Sequence, residues 1–187
     1  MQKALKKRMK HETTEKKKIT FITGGARSGK SVFALKTADV IGKIKAYIAT
    51  AEALDDEMRE RIEIHRKSRG NDWHTIEEPI NLLSLFESKH SEWDIAVIDC
   101  LTLWVSNLVG NGLTDEAILK MAHNVSEIMA KSGCSIIIVS NEVGMGIVPD
   151  NPLARRFRDI AGKVNQIMAS TSNEVYWMVA GIPVQIK

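Results

Sequence analysis

An eight-residue stretch near the amino end of the chain has the residue types and spacing that bind the phosphates of a nucleotide. It reads Gly24-Gly25-Ala26-Arg27-Ser28-Gly29-Lys30-Ser31 and fits the pattern G-x-x-x-x-G-K-[ST]. The glycines allow the backbone to curl until successive N–H groups point inward, and a following helix adds its positive amino end. Lys30 is then expected to hold the β- and γ-phosphates, and the Ser31 hydroxyl to bind Mg²⁺. A glycine-rich turn with an incidental lysine is the alternative, but the flanking strand and helix favour a nucleoside triphosphate site.

An aspartate at the end of an apolar stretch is the candidate metal ligand. Asp99 lies near the end of a predicted strand over 94–100, where an acid can hold Mg²⁺ beside the γ-phosphate, directly or through water. The alternative is that Asp99 caps a helix beginning at Leu101, a role that aspartate also suits. The end of another predicted strand is expected to line the same ligand cleft. Its residues are Ala49, Thr50 and Ala51.

A histidine on a charged helix is the candidate nucleophile. His65 lies within a helix predicted over 54–69, and spacing alone favours an ordinary surface histidine over a functional one. Its cationic neighbours could hold a nucleotide's phosphates and favour a functional role slightly. These neighbours are Arg61, Arg66, Lys67 and Arg69. The other histidines lack such a setting, and no pair of them has the spacing of metal ligands.

Two further sets of charged residues carry open interpretations. Glu77 follows that helix on a short extended piece, and its carboxylate could accept from both the ring N–H and the amine of guanine. A surface glutamate is the alternative, and Glu77 taken alone favours that alternative. Arg155, Arg158 and Asp159 could bind phosphate or simply form an exposed helix face, and spacing does not decide between the two.

Strand and helix patterns alternate along the chain and predict an α/β fold with a mostly parallel sheet covered on both faces. Predicted strands cover 19–23, 46–50, 73–78, 94–100, 135–140 and 174–180, and a last strand over 184–186 is expected to pair antiparallel at an edge. Predicted helices cover 32–38, 54–69, 81–90, 101–108, about 115–132 with Thr114 as its cap, and 153–170. An unusual loop over 141–149 lies between the strand predicted over 135–140 and the helix predicted over 153–170.

Composition is that of an ordinary globular chain, with 44% hydrophobic and 26% charged residues in 187. The first 18 residues carry eight Lys or Arg against two Glu, or +6, so a net charge of +3 leaves −3 for residues 19–187. We expect a poorly ordered basic extension over 1–18 and one catalytic domain over 19–187. The acidic balance of that domain argues against nucleic-acid binding. We expect neither a signal peptide nor a membrane span over residues 1–18, which contain no long apolar run. Cys100 and Cys134 are expected to be reduced thiols of a cytoplasmic protein.

Several stretches together resemble one family, the bifunctional adenosylcobinamide kinase/adenosylcobinamide-phosphate guanylyltransferases of cobalamin biosynthesis. They extend over nearly all of residues 19–187. The matching segments are Thr23 to Ser31, Tyr47-Ile-Ala-Thr50, Leu54-Asp-Asp-Glu-Met58 with Arg61-Ile62 and His65-Arg66, Trp73, Ile98 to Trp104 with Ser106-Asn107-Leu108, Ser140 to Pro149, Leu153-Ala-Arg155, Phe157-Arg-Asp159, and Gly162 to Gln166. The asparagine–glutamate–glycine loop and the His65 helix are the specific part of this resemblance, whereas the phosphate loop is generic.

The resemblance implies two reactions, both dependent on a nucleotide. ATP or GTP would phosphorylate the hydroxyl of the aminopropanol arm of adenosylcobinamide, and GTP would then guanylylate His65 before GMP passes to the new phosphate, giving adenosylcobinamide-GDP. It also implies a RecA-like three-layer fold, Mg²⁺ dependence and a homotrimer. The implied nucleotide contacts are Gly24 to Ser31, Ala49 to Ala51, Arg66, Lys67, Ser68, Arg69, Glu77 and Asp99. The basic extension lies outside the resemblance.

Three other functions remain open from the residues. The first is a small-molecule kinase without guanylyl transfer, which incubation with α-labelled GTP would distinguish. The second is a RecA-like ATPase dependent on nucleic acid, with the basic extension as its arm. The third is a nucleotide-binding regulatory subunit without catalysis. Neither the preferred triphosphate of the kinase step nor the position of the corrin ring follows from the sequence.

Overall fold

The computed structural model describes residues 17–53, 55–70, 72–89 and 92–187, apart from the side chains of Arg61, His65 and Ser68. Most of the predicted basic extension therefore lies outside the described residues, as does Leu54. The strands are β1 Ile19–Gly24, β2 Lys45–Ala49, β3 Trp73–Glu77, β4 Ile95–Asp99, β5 Ser135–Val139, β6 Glu174–Val179 and β7 Ile182–Gln185. The helices are α1 Lys30–Asp39, α2 Asp56–Ser68, α3 Leu82–Lys89, α4 Leu101–Gly110, α5 Asp115–Ala130 and α6 Pro152–Thr171.

The strands form one seven-stranded sheet in the order β3-β2-β4-β5-β1-β6-β7. The first six strands in this order, from β3 through β1 to β6, pair in parallel with their neighbours, and β7 pairs antiparallel with β6. The prediction of a mostly parallel sheet with an antiparallel edge strand at the carboxyl end is confirmed. β5 lies between β1, which leads into the phosphate loop, and β4, which ends in Asp99. This placement decides which residues meet at the carboxyl edge of the sheet.

The final hairpin is tighter than predicted. β7 begins at Ile182, which pairs with Val179, so only Ala180 and Gly181 form the turn. Both have positive φ, 50° and 86°, as a two-residue hairpin requires. Pro183, which lies just outside the last strand predicted over 184–186, instead lies opposite Met178 within β7. Proline is tolerated there because β7 is an edge strand, where one N–H needs no partner in the sheet.

Buried residues on the two faces of the sheet form separate cores. Ile136 and Ile138 of β5 pack in the larger core, with residues of α3, α4, α5 and α6, whereas Ile137 and Val139 pack in the smaller core with α1. Because both faces are covered, the central strands are nearly continuous runs of Ile and Val rather than alternating patterns. Successive side chains of a strand still point to opposite faces of the sheet. The position of a residue along its strand therefore indicates which core its side chain faces, also at the strand ends near the site.

Side-chain caps fix where several helices begin. Asp55 accepts a hydrogen bond from the Met58 N–H at 2.7 Å and is the N-cap of α2, so it precedes the first turn rather than belonging to it as the sequence suggested. Thr114 caps α5 by accepting from the Ala117 N–H at 3.3 Å, as predicted. Asn151 caps α6, which has Pro152 in its first turn.

Candidate active site

The phosphate loop folds around its own lysine. Lys30 is 7% exposed, and its Nζ donates to the carbonyl oxygens of Gly24 at 3.0 Å and Gly25 at 2.6 Å. Gly24 has φ 150° and Gly29 has φ 90°, conformations that L side chains rarely adopt. A Cβ at Gly24 would lie 2.6 Å from the Met178 carbonyl oxygen of β6. The loop therefore needs glycine at Gly24, both for its backbone angle and for its close approach to β6.

The amino end of α1 is left open for an anion. Its N-cap, Gly29, offers no side-chain hydrogen bond, and the first turn contains no acidic residue. Gly25, Ala26 and Arg27 are exposed, and Ser31 is half-buried in the first turn. An uncapped helix end beside a buried ammonium group is suited to phosphate, because both supply positive potential to the same place. These residues fit the triphosphate tail of a nucleotide.

Several predicted site residues lie in one row along the carboxyl edge of the sheet. Glu77 of β3 pairs in register with Ala49 of β2, Ala49 with Asp99 of β4, and Asp99 with Val139 of β5. Val139 in turn pairs with Ile22 of β1, just before the phosphate loop. The structure thus brings Glu77, Ala49 and Asp99 to the same edge as Lys30.

A tyrosine that sequence reasoning did not select holds Asp99. The Tyr47 hydroxyl donates to Asp99 Oδ2 at 2.8 Å. Burial, and then the charge of Asp99, raise the pKa of Tyr47 well above its usual value, so the phenol stays protonated and remains a donor. The helix-cap alternative for Asp99 is wrong, because the N-cap of α4 is Cys100. Metal binding by Asp99 remains a prediction, and one carboxylate with a serine hydroxyl and substrate phosphates suits Mg²⁺.

Buried Thr50 links the residues that follow β2 and β4 by hydrogen bonds. It is fully buried, and its Oγ1 donates to the Cys100 carbonyl oxygen at 2.6 Å and accepts from the Cys100 N–H at 2.8 Å. The Asn107 side chain donates to the Thr50 carbonyl oxygen at 2.8 Å. The predicted placement of Thr50 in the cleft therefore needs correction, because its hydroxyl is committed to the backbone of Cys100. Ala49 and Ala51 are half-buried beside it.

The cationic residues predicted to form a patch around His65 have different surroundings. Arg66 and Lys67 are exposed, whereas Arg69 packs its guanidinium over the Tyr47 ring, 3.6 Å from the ring centroid. The Arg69 Nε is buried and, among the described residues, has no hydrogen-bond partner. Arg69 thus attaches the carboxyl end of α2 to the tyrosine that holds Asp99. His65 belongs to α2, but its side chain and that of Ser68 lie outside the described structure.

Glu77 is exposed at the end of the edge strand β3, and no hydrogen bond to its carboxylate occurs among the described residues. The neighbouring Glu78 has a structural role, since its Oε1 accepts from the N–H groups of Ile80 and Asn81. The two adjacent glutamates therefore differ, and Glu77 is the one available to a ligand.

The arginines of α6 are engaged within the protein. Arg155 donates to the carbonyl oxygens of Pro149 and Asp150 at 2.9 and 2.7 Å and so holds the end of the preceding loop. Arg156 pairs with Asp115 at 2.7 Å. Arg158 pairs with Asp159 at 3.1 Å. These contacts favour structural roles over the phosphate role that spacing left open.

Comparison with known proteins identifies the chain. Residues 20–186 match the family model described as cobinamide kinase / cobinamide phosphate guanyltransferase. The chain belongs to this family. It is 43% identical over 181 residues to "Bifunctional adenosylcobalamin biosynthesis protein CobU" of Escherichia coli (strain K12), covering 90% of this chain and 99% of that protein. It is 40% identical over 168 residues to "Bifunctional adenosylcobalamin biosynthesis protein CobP" of Pseudomonas aeruginosa, covering 89% and 95%. The resemblance drawn from the sequence is confirmed.

Solved structures confirm the RecA-like phosphate-loop fold of this family member. The flagellar accessory protein FlaH from Methanocaldococcus jannaschii superposes with a TM-score of 0.50 at 15% identity, covering 91% of this chain and 78% of that one. A second solved structure, an ATPase domain, gives a TM-score of 0.50 at 11% identity, covering 86% and 69%. At such identities the likeness concerns the fold alone. Over the part of the chain that is described, no helix has the length and apolar character needed to cross a membrane.

Sequence reasoning also missed a buried polar network under the loop that follows β5. Ser140 Oγ donates to Asn165 Oδ1 at 2.7 Å and lies 3.1 Å from Thr102 Oγ1. All three residues are buried. Their partners are far apart in sequence, so local spacing carries no signal for the network. Its members do, however, lie within the segments that resemble this family.

Proposed function

We propose that this chain phosphorylates adenosylcobinamide with ATP or GTP and then transfers GMP from GTP to the product through a covalent adduct on His65. The observation that carries the proposal is a fitting phosphate loop in a chain that matches the cobinamide kinase / guanyltransferase family over residues 20–186. The row of residues along the carboxyl edge supports it, because one edge then serves both reactions.

In the kinase step, the acceptor hydroxyl oxygen bonds to the γ-phosphorus, and the bond to the β–γ bridging oxygen breaks. A nucleoside diphosphate leaves, and the hydroxyl proton is released. Lys30 and the open amino end of α1 stabilise the charge that develops on the phosphates. Ser31 and Asp99 would hold Mg²⁺, which neutralises phosphate charge when bound. The Tyr47 hydroxyl donates to Asp99 Oδ2 and so restricts the orientation of this carboxylate.

In the guanylyl step, an imidazole nitrogen of His65 bonds to the α-phosphorus of GTP and pyrophosphate leaves. A phosphate oxygen of adenosylcobinamide phosphate then attacks the adduct, and the imidazole departs as GMP is transferred. Neutral imidazole is a competent nucleophile near pH 7. Positions 65 and 69 are one helical turn apart, and the Arg69 side chain contacts Tyr47 beside Asp99. This contact supports a location of α2 near the phosphates.

Guanine recognition is assigned to Glu77. Neighbouring strands lie about 4.8 Å apart, so four spacings place the end of β3 about 19 Å from the end of β1. A nucleotide whose terminal phosphates occupy the loop and whose base reaches Glu77 would extend along the row described above. The available carboxylate of Glu77 would accept from two N–H groups of guanine, a pair that adenine lacks.

The decisive experiment is mass spectrometry of the intact protein after incubation with GTP and Mg²⁺. We expect one added GMP in the wild type, no adduct in His65→Ala, and a normal adduct in His74→Ala, an exposed histidine on β3 that serves as the control. The adduct is a phosphoramidate and is expected to hydrolyse in acid and survive alkali. No adduct in the wild type, or its persistence in His65→Ala, would remove this assignment. The cytoplasmic location and the homotrimer remain predictions.

A further inference from the structure

The loop that follows β5 is the one specific sequence motif to which the two proposed reactions assign no role. Within it, Asn141 is the first residue beyond the buried network, and β5 lies between the strand of the phosphate loop and the strand of Asp99. With neighbouring strands about 4.8 Å apart, the position after β5 lies between Lys30 and Asp99. The terminal phosphate of a bound nucleotide must lie between those same two groups.

The backbone of this residue is fixed from three directions. The Asn141 N–H donates to Thr102 Oγ1 at 2.6 Å, and its carbonyl oxygen accepts from Asn165 Nδ2 at 3.3 Å. The next N–H, that of Glu142, donates at 3.0 Å to the Gly24 carbonyl oxygen, which also accepts from Lys30. A buried network thus locks Asn141 to the phosphate loop, a precision that an ordinary surface turn does not need.

The alternation of β5 assigns a face to the Asn141 side chain. Ile136, Ile138 and Ser140 face the larger core or its polar network, and Ile137 and Val139 face α1. Asn141 continues the second series, and both of its backbone groups turn towards Thr102 and Asn165 on the opposite face. Asp99 lies on the α1 face as well, since its partner Tyr47 belongs to the α1 core.

The Asn141 side chain is available for a ligand. Asn141 is half-buried, and within the described part of the chain its carboxamide has no hydrogen-bond partner. Glu142 is less suitable, because its Oε1 accepts from the Gly144 N–H at 3.0 Å and helps to fold the loop. A carboxamide offers two N–H donors for phosphoryl oxygens and carries no charge that repels them.

We propose that Asn141 contacts the terminal phosphate of the bound triphosphate, between Lys30 and Asp99, and so distinguishes a triphosphate from a diphosphate. This inference rests on the proposed nucleotide site and goes beyond it by assigning a residue that recognises the γ-phosphoryl group. A fixed donor at this position holds the γ-phosphoryl group in line with the attacking hydroxyl, so it serves the kinase step in particular.

The test compares a non-hydrolysable ATP analogue with ADP, each in the presence of Mg²⁺, by isothermal titration calorimetry. For Asn141→Ala we expect about 10- to 100-fold weaker binding of the analogue and unchanged binding of ADP, because only one hydrogen bond to a charged group is lost. Asn141→Asp keeps the shape and adds a negative charge, so it should discriminate against the triphosphate even more strongly. Asn111→Ala, at an exposed asparagine after α4, is the control and should bind both nucleotides normally.

The inference would be overturned if both variants, Asn141→Ala and Asn141→Asp, lost affinity equally for the ATP analogue and for ADP. It would also be overturned if both variants bound the two nucleotides with normal affinity. Thermal unfolding of each variant verifies that the fold is intact. No corrinoid enters the binding measurement. A wild type that binds both nucleotides but phosphorylates no cobinamide would therefore defeat the proposed function and leave this inference standing.

Discussion

At the scale of single residues, the site depends on side chains held by partners from other strands. Asp99 is oriented by Tyr47 from the neighbouring strand, and Tyr47 is covered by Arg69 from the end of α2. Because the tyrosine face contacts the guanidinium and its hydroxyl contacts the carboxylate, one residue connects the His65 helix to the proposed metal ligand. The two contacts can be separated by mutation.

Tyr47→Phe removes the hydroxyl and keeps the ring that packs against Arg69 and Trp73. We expect the protein to fold and to bind metal more weakly, because the Asp99 carboxylate loses its orienting donor. The measurement is Mn²⁺ affinity in the presence of a non-hydrolysable triphosphate, followed by electron paramagnetic resonance of free Mn²⁺. Tyr176→Phe is the control, since that tyrosine lies on β6 and bonds to Gln185. Unchanged Mn²⁺ affinity would show that Tyr47 only packs.

Lys30→Ala tests the phosphate loop. Removal of the ammonium group leaves developing phosphate charge without its buried counter-ion, so we expect kinase turnover to fall by roughly 100-fold or more. Lys36→Ala, at an exposed lysine on the same helix, provides the control. Near-normal turnover of Lys30→Ala with both ATP and GTP would contradict the assignment of the loop.

Glu77→Gln tests base selection. It replaces one acceptor oxygen with a donor and should weaken guanine binding by about 1–3 kcal/mol, or roughly 5- to 150-fold. The readout is the ratio of GTP to ATP affinity, with Glu87→Gln on α3 as an exposed control. A constant ratio would move guanine recognition to another group.

At the scale of elements, the phosphate loop requires glycine unequally along its length. Gly24→Ala would force a side chain onto a backbone with φ 150° and place its Cβ 2.6 Å from the Met178 carbonyl oxygen. We expect a loss of stability of about 1–3 kcal/mol, measured by urea unfolding. Gly25→Ala is the matched comparison, because a Cβ there meets nothing within 4 Å and should cost much less. Equal losses would indicate that the loop relaxes around either side chain.

Element types were predictable from the sequence because the central strands are buried on both faces and the helices alternate with them. Exact helix starts were harder, as Asp55 shows, since a cap and a first-turn acid look alike in sequence. The phosphate loop was found from local spacing. Tyr47 and the network around Ser140 were not, because their partners Asp99, Thr102 and Asn165 lie 25 to 52 residues away.

At the scale of the whole molecule, the two cysteines mark opposite edges of the sheet. Cys100 directly follows β4 at the carboxyl edge, and Cys134 directly precedes β5 at the amino edge. Both are buried free thiols. Burial, followed by the charge of Asp99, raises the pKa of Cys100 to about 11, and burial also raises the pKa of Cys134. Because the thiolate is the reactive form, the native protein should react slowly with thiol reagents at pH 8.

Local unfolding at the carboxyl edge of the sheet should therefore expose the Cys100 thiol to alkylation without exposing that of Cys134. A non-hydrolysable triphosphate that binds with Mg²⁺ at this edge stabilises its folded form by mass action. We therefore expect it to slow alkylation of Cys100 more than that of Cys134. Peptide mapping by mass spectrometry assigns each alkylated residue, and the denatured protein, in which both thiols react rapidly, sets the upper limit. Equal slowing at the two cysteines would mean that the thiols become exposed by global unfolding, whereas slowing confined to Cys100 locates the nucleotide at the edge that carries Asp99.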